Sequence, residues 1–307
     1  MSYRCVTTLT EIQKYLGDTG LVSFDYETSP DEAFRDTPKA ALDPHRSHIV
    51  GVSFSVAEGE GVYAPLAHRI GQNAEDPDGI WRWLDTAFFS NTNIIKIAHN
   101  LSFEAMFTYA KGVVILPPVY DTIAASQMAL KSNTKFRSLA DSGLKTLAPE
   151  LCGVELPSFG EVTEGRHFDE LDPQDPETVR YACADSDFAL QLYNKMNSWF
   201  DRYLPKHRFI VEQIESPTAV YTGIMKYNGL LVDTALMETK RVEAEAKLAE
   251  LREEIACFTG DLNIGQNAST SAFKKYMYDD LKLPIMKVTA KYQEAMDDEA
   301  LVLLSEC

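Results

Sequence analysis

Phe24-Asp25-Tyr26-Glu27-Thr28 decides both the fold and the chemistry of this chain. Leu21, Val22 and Phe24 are apolar and read as a buried strand. Asp25 and Glu27 then stand at i and i+2. Strand side chains alternate between faces, so both carboxylates point the same way. Two like charges side by side at the edge of a core repel each other. A cation between them removes that cost, and an all-oxygen donor set suits Mg²⁺ or Mn²⁺. The plainer reading of the same residues is a strand running out into an acidic turn, with Glu27 a solvated rim residue.

The chain has 307 residues, of which 45% are hydrophobic and 24% charged. That is enough for a sizeable core and implies two domains or one large domain with a smaller one. The net charge of −17 argues against a protein that grips long nucleic acid by phosphate neutralisation over its surface. Any nucleic-acid contact is therefore local, or a partner supplies the grip. Five cysteines, Cys5, Cys152, Cys183, Cys257 and Cys307, show no metal-site spacing. This odd, scattered set implies reduced thiols in a cytoplasmic compartment. No apolar run reaches membrane-spanning length, and the N-terminus lacks a signal-like segment.

Outward from Asp25, Tyr3 to Thr7 is β-prone, and Thr10 to Leu16 reads as a helix ending near Gly17. Residues 29–47 are polar and proline-containing, hence loop. Ile49 to Val56 and Val62 to Pro65, joined through Gly59-Glu60-Gly61, form a hairpin. A helix carrying Trp81, Trp83, Leu84 and Phe88 precedes the strand Ile94 to Ala98. Three adjacent strands followed by strand–helix alternation predict a mixed α/β sheet with helices packed on it. Phe136 to Leu147 reads as an amphipathic helix and Leu156-Pro157-Ser158-Phe159 as a loop.

Two further stretches carry chemistry. In Ala98-His99-Asn100-Leu101-Ser102-Phe103-Glu104 a strand ends and a helix begins, with Asn100 at the N-cap position and Glu104 in the early helix. That is the strand edge at which α/β sheets hold ligands. Equally, Asn100 only caps, Glu104 complements the helix dipole and His99 is a core histidine. In Arg180-Tyr181-Ala182-Cys183-Ala184-Asp185-Ser186-Asp187, Tyr181 and Asp185 share a helix face. Asp187 reads as a solvated acid, and Asp121 in Tyr120-Asp121-Thr122 as a helix cap.

Together, D-x-E, N-x-x-F-E and Y-x-x-x-D resemble the three exonuclease motifs of the DEDD superfamily, tyrosine subtype. Ala41-Leu42-Asp43-Pro44, Ile49-Val50-Gly51-Val52-Ser53-Phe54, Tyr63-Ala64-Pro65-Leu66-Ala67-His68 and Tyr120-Asp121-Thr122 with Leu139-Ala140 narrow the likeness. They resemble the proofreading domain of family A, DNA polymerase I-type polymerases. The resemblance implies a ribonuclease H-like mixed sheet flanked by helices over residues 1–202. Residues 203–307 then resemble the helical start of the polymerase region, the thumb. Glu215-Ser216-Pro217, Met225 to Asp233, a long helix over 234–259, Leu262-Asn263-Ile264 and a helix through Phe273 and Leu281 to Leu283-Pro284 carry that part. Ala244, Leu248, Leu251, Ile255 and Phe258 form a coiled-coil-like seam on the long helix.

The implied activity is two-metal hydrolysis of DNA from its 3′ end to nucleoside 5′-monophosphates. Asp25, Glu27, Glu104 and Asp185 would bind two Mg²⁺ or Mn²⁺ ions about 4 Å apart, with Tyr181 positioning the attacking water. Leu42, Asn100, Phe103 and Phe159 would contact the DNA, which is single-stranded or frayed. The chain stops at Cys307, before any palm or fingers, so the expected partner is a separate polymerase subunit or a polymerase domain beyond this sequence. Two departures stand out: Glu104 replaces the usual Asp, as in phage-type relatives, and residues 30–41 look inserted beside the cleft. The alternatives are an RNase D-like RNA exonuclease and a non-catalytic scaffold for a polymerase.

Overall fold

The computed structural model describes residues 1–131, 142–260, 270–289 and 294–305. Six strands form one sheet: β1 (Ser2–Cys5), β2 (Leu21–Pro30), β3 (Ser47–Ser55), β4 (Glu60–Pro65), β5 (Ile95–Ala98) and β6 (Val119–Asp121). Their order is β1-β4-β3-β2-β5-β6. The hairpin expected around Gly59-Glu60-Gly61 is present, with Phe54 opposite Val62 and Gly51 opposite Pro65. β2 is antiparallel to β3 but parallel to β5, with Leu21 opposite Ile95 and Ser23 opposite Ile97. β2 and β5 therefore deliver their carboxyl ends to the same edge, where α/β sheets collect ligands.

Helices cover both faces. α1 (Leu9–Leu16) starts at a reciprocal capping box between Thr8 and Glu11. α2 (Pro77–Trp83) opens on the Asp76 cap and runs on through Leu84–Phe89 in wider turns. α3 (Leu101–Ala110) has Leu101, Glu104, Ala105 and Phe107 all buried. It is the enclosed kind of helix, apolar nearly all round. α4 (Thr122–Lys131) and α5 (Leu144–Leu147) flank the undescribed stretch 132–141. Most of the helix expected over Phe136–Leu147, including Leu139 and Ala140, therefore lies outside the described residues.

α6 (Phe159–Thr163) is a short helix where a loop was expected. Ser158 and Glu161 close a capping box there, a signal that the proline before it obscures. α7 (Pro176–Tyr203) begins where Asp175 accepts from the amides of Glu177 and Thr178, with Pro176 at the first helical position. α8 (Pro205–Ile210) continues through Val211–Glu215 into α9 (Ser216–Asn228).

Alternation along β2 separates core from chemistry. Val22, Phe24 and Tyr26 sit in the core under α1, α2 and α3 with Phe88, Phe89 and Leu101. Phe24 meets the rings of Tyr26, Phe88 and Phe89 edge-on at 5.4–5.6 Å. Ser23, Asp25 and Glu27 consequently face α7 on the other side.

The first compact unit is Met1–Gly229. The reason is packing. Val211 and Val220 are buried members of the core clusters, and the buried Ser216 hydroxyl accepts from the Asp121 amide at 2.9 Å. α9 also crosses α3 at Gly223, where a Cβ would stand 2.5 Å from the Ser102 carbonyl and 2.9 Å from the Met106 amide. The boundary expected at residue 202 marks the end of the last exonuclease motif and is a different division from this packing unit.

The second unit, Leu230–Cys307, contains α10 (Thr234–Thr259), α11 (Thr270–Lys274, continuing through Lys275–Asp280) and α12 (Asp298–Ser305). The long helix has the expected bounds. Leu248, Leu251, Ile255 and Phe258 on its seam are exposed. Leu262-Asn263-Ile264 and Cys307 lie outside the described residues. Cys5, Cys152, Cys183 and Cys257 are unpaired, and no helix among the described residues is long and apolar enough to cross a membrane.

Candidate active site

Four acids meet at the carboxyl edge of β2 and β5. Asp25 and Glu27 come from β2, Glu104 from the first turn of α3, and Asp185 from the middle of α7. Glu27 lies opposite Gly51 across the β2–β3 ladder, just before a bulge at Glu27/Thr28. Gly51 is required there because a Cβ would stand 2.1 Å from the Tyr63 hydroxyl. The Tyr63 ring fills that space, and its hydroxyl meets His68 Nε2 at 2.7 Å.

The electrostatics are those of crowded carboxylates. Burial pushes Asp25 well above the usual carboxylate range, and the Asp185 charge pushes it further. Burial, then Asp25 and Asp185, do the same to Glu27. Burial and then Asp25 raise Glu104. Asp185 is pushed up to about 6 by burial. Glu104 is the extreme case: it is 2% exposed, and its Oε2 has no hydrogen-bond partner. A buried, unsatisfied carboxylate oxygen is costly unless something positive is to meet it. Among the described residues, no three His, Cys, Asp or Glu side chains are gathered into a ready-made metal cage. Carboxylates that repel one another are not expected to close up without a cation.

Tyr181 lies one turn before Asp185 and is buried, with its ring 5.8 Å from Phe168 and 6.3 Å from Phe159. Burial and the charges of Glu27, Asp185 and Asp25 raise its hydroxyl, which stays protonated. Glu27 and Tyr181 open on a cleft of about 510 Å³ that Phe103, Phe159 and Leu42 also line. Leu42 and Phe159 are exposed at 56% and 44%, so the cleft presents apolar side chains to solvent.

The segment expected as an insertion, 30–41, supplies one cleft wall through Pro30 and residues 35–41. It is strapped down from inside. Asp169 is 1% exposed and accepts from Ser29 (2.7 Å), from Arg35 (2.8 and 3.0 Å) and from Arg69 (2.9 Å). These partners hold its carboxyl down at about 2.

Asn100 is at the N-cap position, but its side chain does not cap. It adopts φ +74°, a left-handed conformation that Asn tolerates, and its Oδ1 accepts from the Ser102 hydroxyl at 3.0 Å. The Asn100 amide instead donates to Asp121 Oδ1 at 3.2 Å. Asp121 also accepts from the Ile123 amide at 2.9 Å, so it caps α4 as expected while tying two loops together.

Asp187, read as solvated, is fully buried. It accepts from the Tyr3 hydroxyl at 2.6 Å and from the Gly59 amide, fastening α7 to β1 and the hairpin turn. The helical spacing from Tyr181 singled out Asp185, but nothing local in the sequence showed that Asp187 would be buried. Sequence reading also missed Lys145 on α5, whose Nζ donates to the Tyr181 hydroxyl at 3.3 Å. Tyr181 is 36 residues away in sequence, and no local pattern links the two.

Known proteins resemble this chain in sequence and in fold. DNA polymerase I of Pseudomonas aeruginosa is 25% identical over 298 residues, which is 95% of this chain and 30% of that protein. The chain thus spans about a third of the length of that curated relative. Among solved structures, the POL domain of Pol1 from M. smegmatis in complex with DNA primer-template and dNTP superposes with TM-score 0.67 at 15% identity, over 99% of this chain and 45% of that one. Brucella melitensis NrnC with bound Mg²⁺ superposes with TM-score 0.50 at 18% identity, over 76% of this chain and 98% of that one. The profile of the 3′-5′ exonuclease domain of A-type DNA polymerases matches residues 3–200, and the chain belongs to that 3′-5′ exonuclease family.

Proposed function

We propose that the protein is a divalent-metal-dependent 3′-5′ exodeoxyribonuclease of the proofreading type, with Asp25, Glu27, Glu104, Tyr181 and Asp185 as its machinery. The observation that carries the reading is the convergence of four mutually repelling carboxylates, one with a buried unpartnered oxygen, beside a protonated phenol. Their all-oxygen donor set fits Mg²⁺ or Mn²⁺. When bound, two such cations supply water activation and charge neutralisation for phosphodiester hydrolysis.

The residues then have distinct tasks. The Tyr181 hydroxyl orients the attacking water by hydrogen bonding. Water oxygen adds to the terminal phosphorus, the preceding 3′ oxygen leaves, and a nucleoside 5′-monophosphate is released. Leu42 and Phe159, exposed at the cleft mouth, wedge and stack against the last bases, while Phe103 and Asn100 contact the terminal nucleotide. Apolar stacking tolerates any base, so little sequence preference is expected.

The substrate is a single-stranded or frayed DNA 3′ end, in the cytoplasm, presented by a polymerase subunit or domain. Residues 230–307 support that partner, since the likeness to the Pol1 structure spans 99% of the chain. The test is hydrolysis of 5′-labelled DNA and RNA oligonucleotides with Mg²⁺ and with EDTA. DNA shortening from the 3′ end that EDTA abolishes is expected. EDTA-resistant cleavage, or a strong preference for RNA, refutes the reading.

A further inference from the structure

We propose that Lys145 is the positioning residue for Tyr181: its ammonium holds the phenol by its oxygen. This rests on the exonuclease reading and deepens it.

The geometry is specific. Leu144 and Leu147 anchor α5 in the core, leaving Lys145 between them to reach out along the surface. Its Nζ donates to the Tyr181 hydroxyl oxygen at 3.3 Å and lies 5.0 Å from the ring centroid. An ammonium has only donors, so it occupies an acceptor lone pair of the phenol. The O–H proton of Tyr181 must then point elsewhere, free to donate to water or an acid oxygen in the cleft. The tyrosine expected to orient the attacking water is thus itself oriented by Lys145.

Removing the ammonium should release Tyr181 and slow hydrolysis at saturating metal and DNA. A lysine that merely packs would leave the rate unchanged. One that only grips the DNA phosphate would raise KM and leave kcat unchanged.

The experiment compares the full chain with Lys145→Met and Lys145→Arg. Calorimetry measures Mn²⁺ binding in the absence of DNA. Hydrolysis of a single-stranded oligonucleotide at saturating Mn²⁺ gives kcat and KM. Lys145→Met should still bind Mn²⁺, so that a loss of rate is not a loss of metal. Its kcat should fall about ten- to a hundredfold, the usual cost of losing a group that supports the working residues of a metal site. KM should move little, and Lys145→Arg should restore kcat towards the parent. An unchanged kcat, a rise in KM alone, or a loss of rate that follows lost Mn²⁺ binding overturns the positioning role. A parent protein that neither binds Mn²⁺ nor cleaves DNA refutes the exonuclease reading itself, and this proposal with it.

Discussion

Asp25, an acid of the proposed cation site, is set in surroundings that cost the metal-free fold stability. Its folded-state carboxyl is raised by burial and by Asp185. An unfolded aspartate titrates near 4. The folded form therefore holds its proton more tightly, and the linked stability is present below about pH 4 and lost as pH rises through the folded value. Buried His68 and His99, each lowered to about 4, act in the opposite sense between about pH 4 and 6.5. The informative quantity is accordingly the difference between Asp25→Asn and the parent, each in EDTA. Near pH 4 the two should melt alike. By pH 8 the variant should melt a few degrees higher, since about 1 kcal/mol shifts Tm by roughly 2–4 °C at this size. Mg²⁺ should raise the parent's Tm more than the variant's, and DNA cleavage by the variant should be abolished. A variant that melts lower than the parent in EDTA at every pH would make Asp25 a structural hydrogen-bond partner instead.

Tyr181→Phe separates orientation from metal binding. It removes one hydroxyl and no acid, so cleavage should fall about a hundredfold or more without vanishing. The Mg²⁺-induced rise in Tm should persist. Complete loss of that rise would show that the phenol belongs to the cation site.

At the scale of elements, period decides what can be read in advance. The alternation along β2 gave the strand, its two faces and the shared direction of Asp25 and Glu27, because the pleat repeats every two residues. The hairpin, the α3 start and the Tyr181–Asp185 face follow from equally local rules. What was not legible depends on contacts far apart in sequence. Asp187 reads as a solvated acid until Tyr3 and Gly59 are brought to it. Asp169 signals nothing until Ser29, Arg35 and Arg69 converge on it.

Gly223 belongs to the same class and carries a prediction. In an exposed helix, Gly→Ala would stabilise by about 1 kcal/mol through propensity. Here the new methyl would meet the Ser102 carbonyl and Met106 amide, backbone atoms of α3 that cannot rotate away. Gly223→Ala should instead destabilise by about 1–3 kcal/mol, the usual cost of overpacking. Gly160 on α6 has nothing within 4 Å of its added Cβ and serves as the control. Denaturant melts of both variants decide the point, and equal stability would mean that α9 does not press on α3.

For the whole molecule, the question is where the folding unit ends, and the packing of α8 and α9 answers it. A fragment cut after residue 202 keeps every acid and Tyr181. It also loses the buried Val211 and Val220, the Ser216 hydroxyl under the Asp121 amide, and the Lys226 ammonium that donates to the Ser102 hydroxyl at 2.9 Å. α3 would expose the face that Gly223 now covers, and α3 carries Glu104. Each large aliphatic side chain returned to water costs about 1.5–3 kcal/mol, so losing two removes a sizeable part of a domain's net stability of about 5–15 kcal/mol. A fragment ending at Gly229 keeps all of these contacts. It also stops at a residue with φ +63°, a natural helix end, and severs no interaction within the first unit. The 1–229 fragment should therefore melt cooperatively and cleave single-stranded DNA at a rate close to that of the full chain. The 1–202 fragment should be poorly folded and inactive despite carrying every residue of the proposed catalytic set. Circular dichroism melts and the labelled-oligonucleotide assay on both fragments read this directly. Full activity from residues 1–202 alone would show that α8 and α9 are ornaments to the exonuclease, and that the boundary read from the family motifs was the physical one.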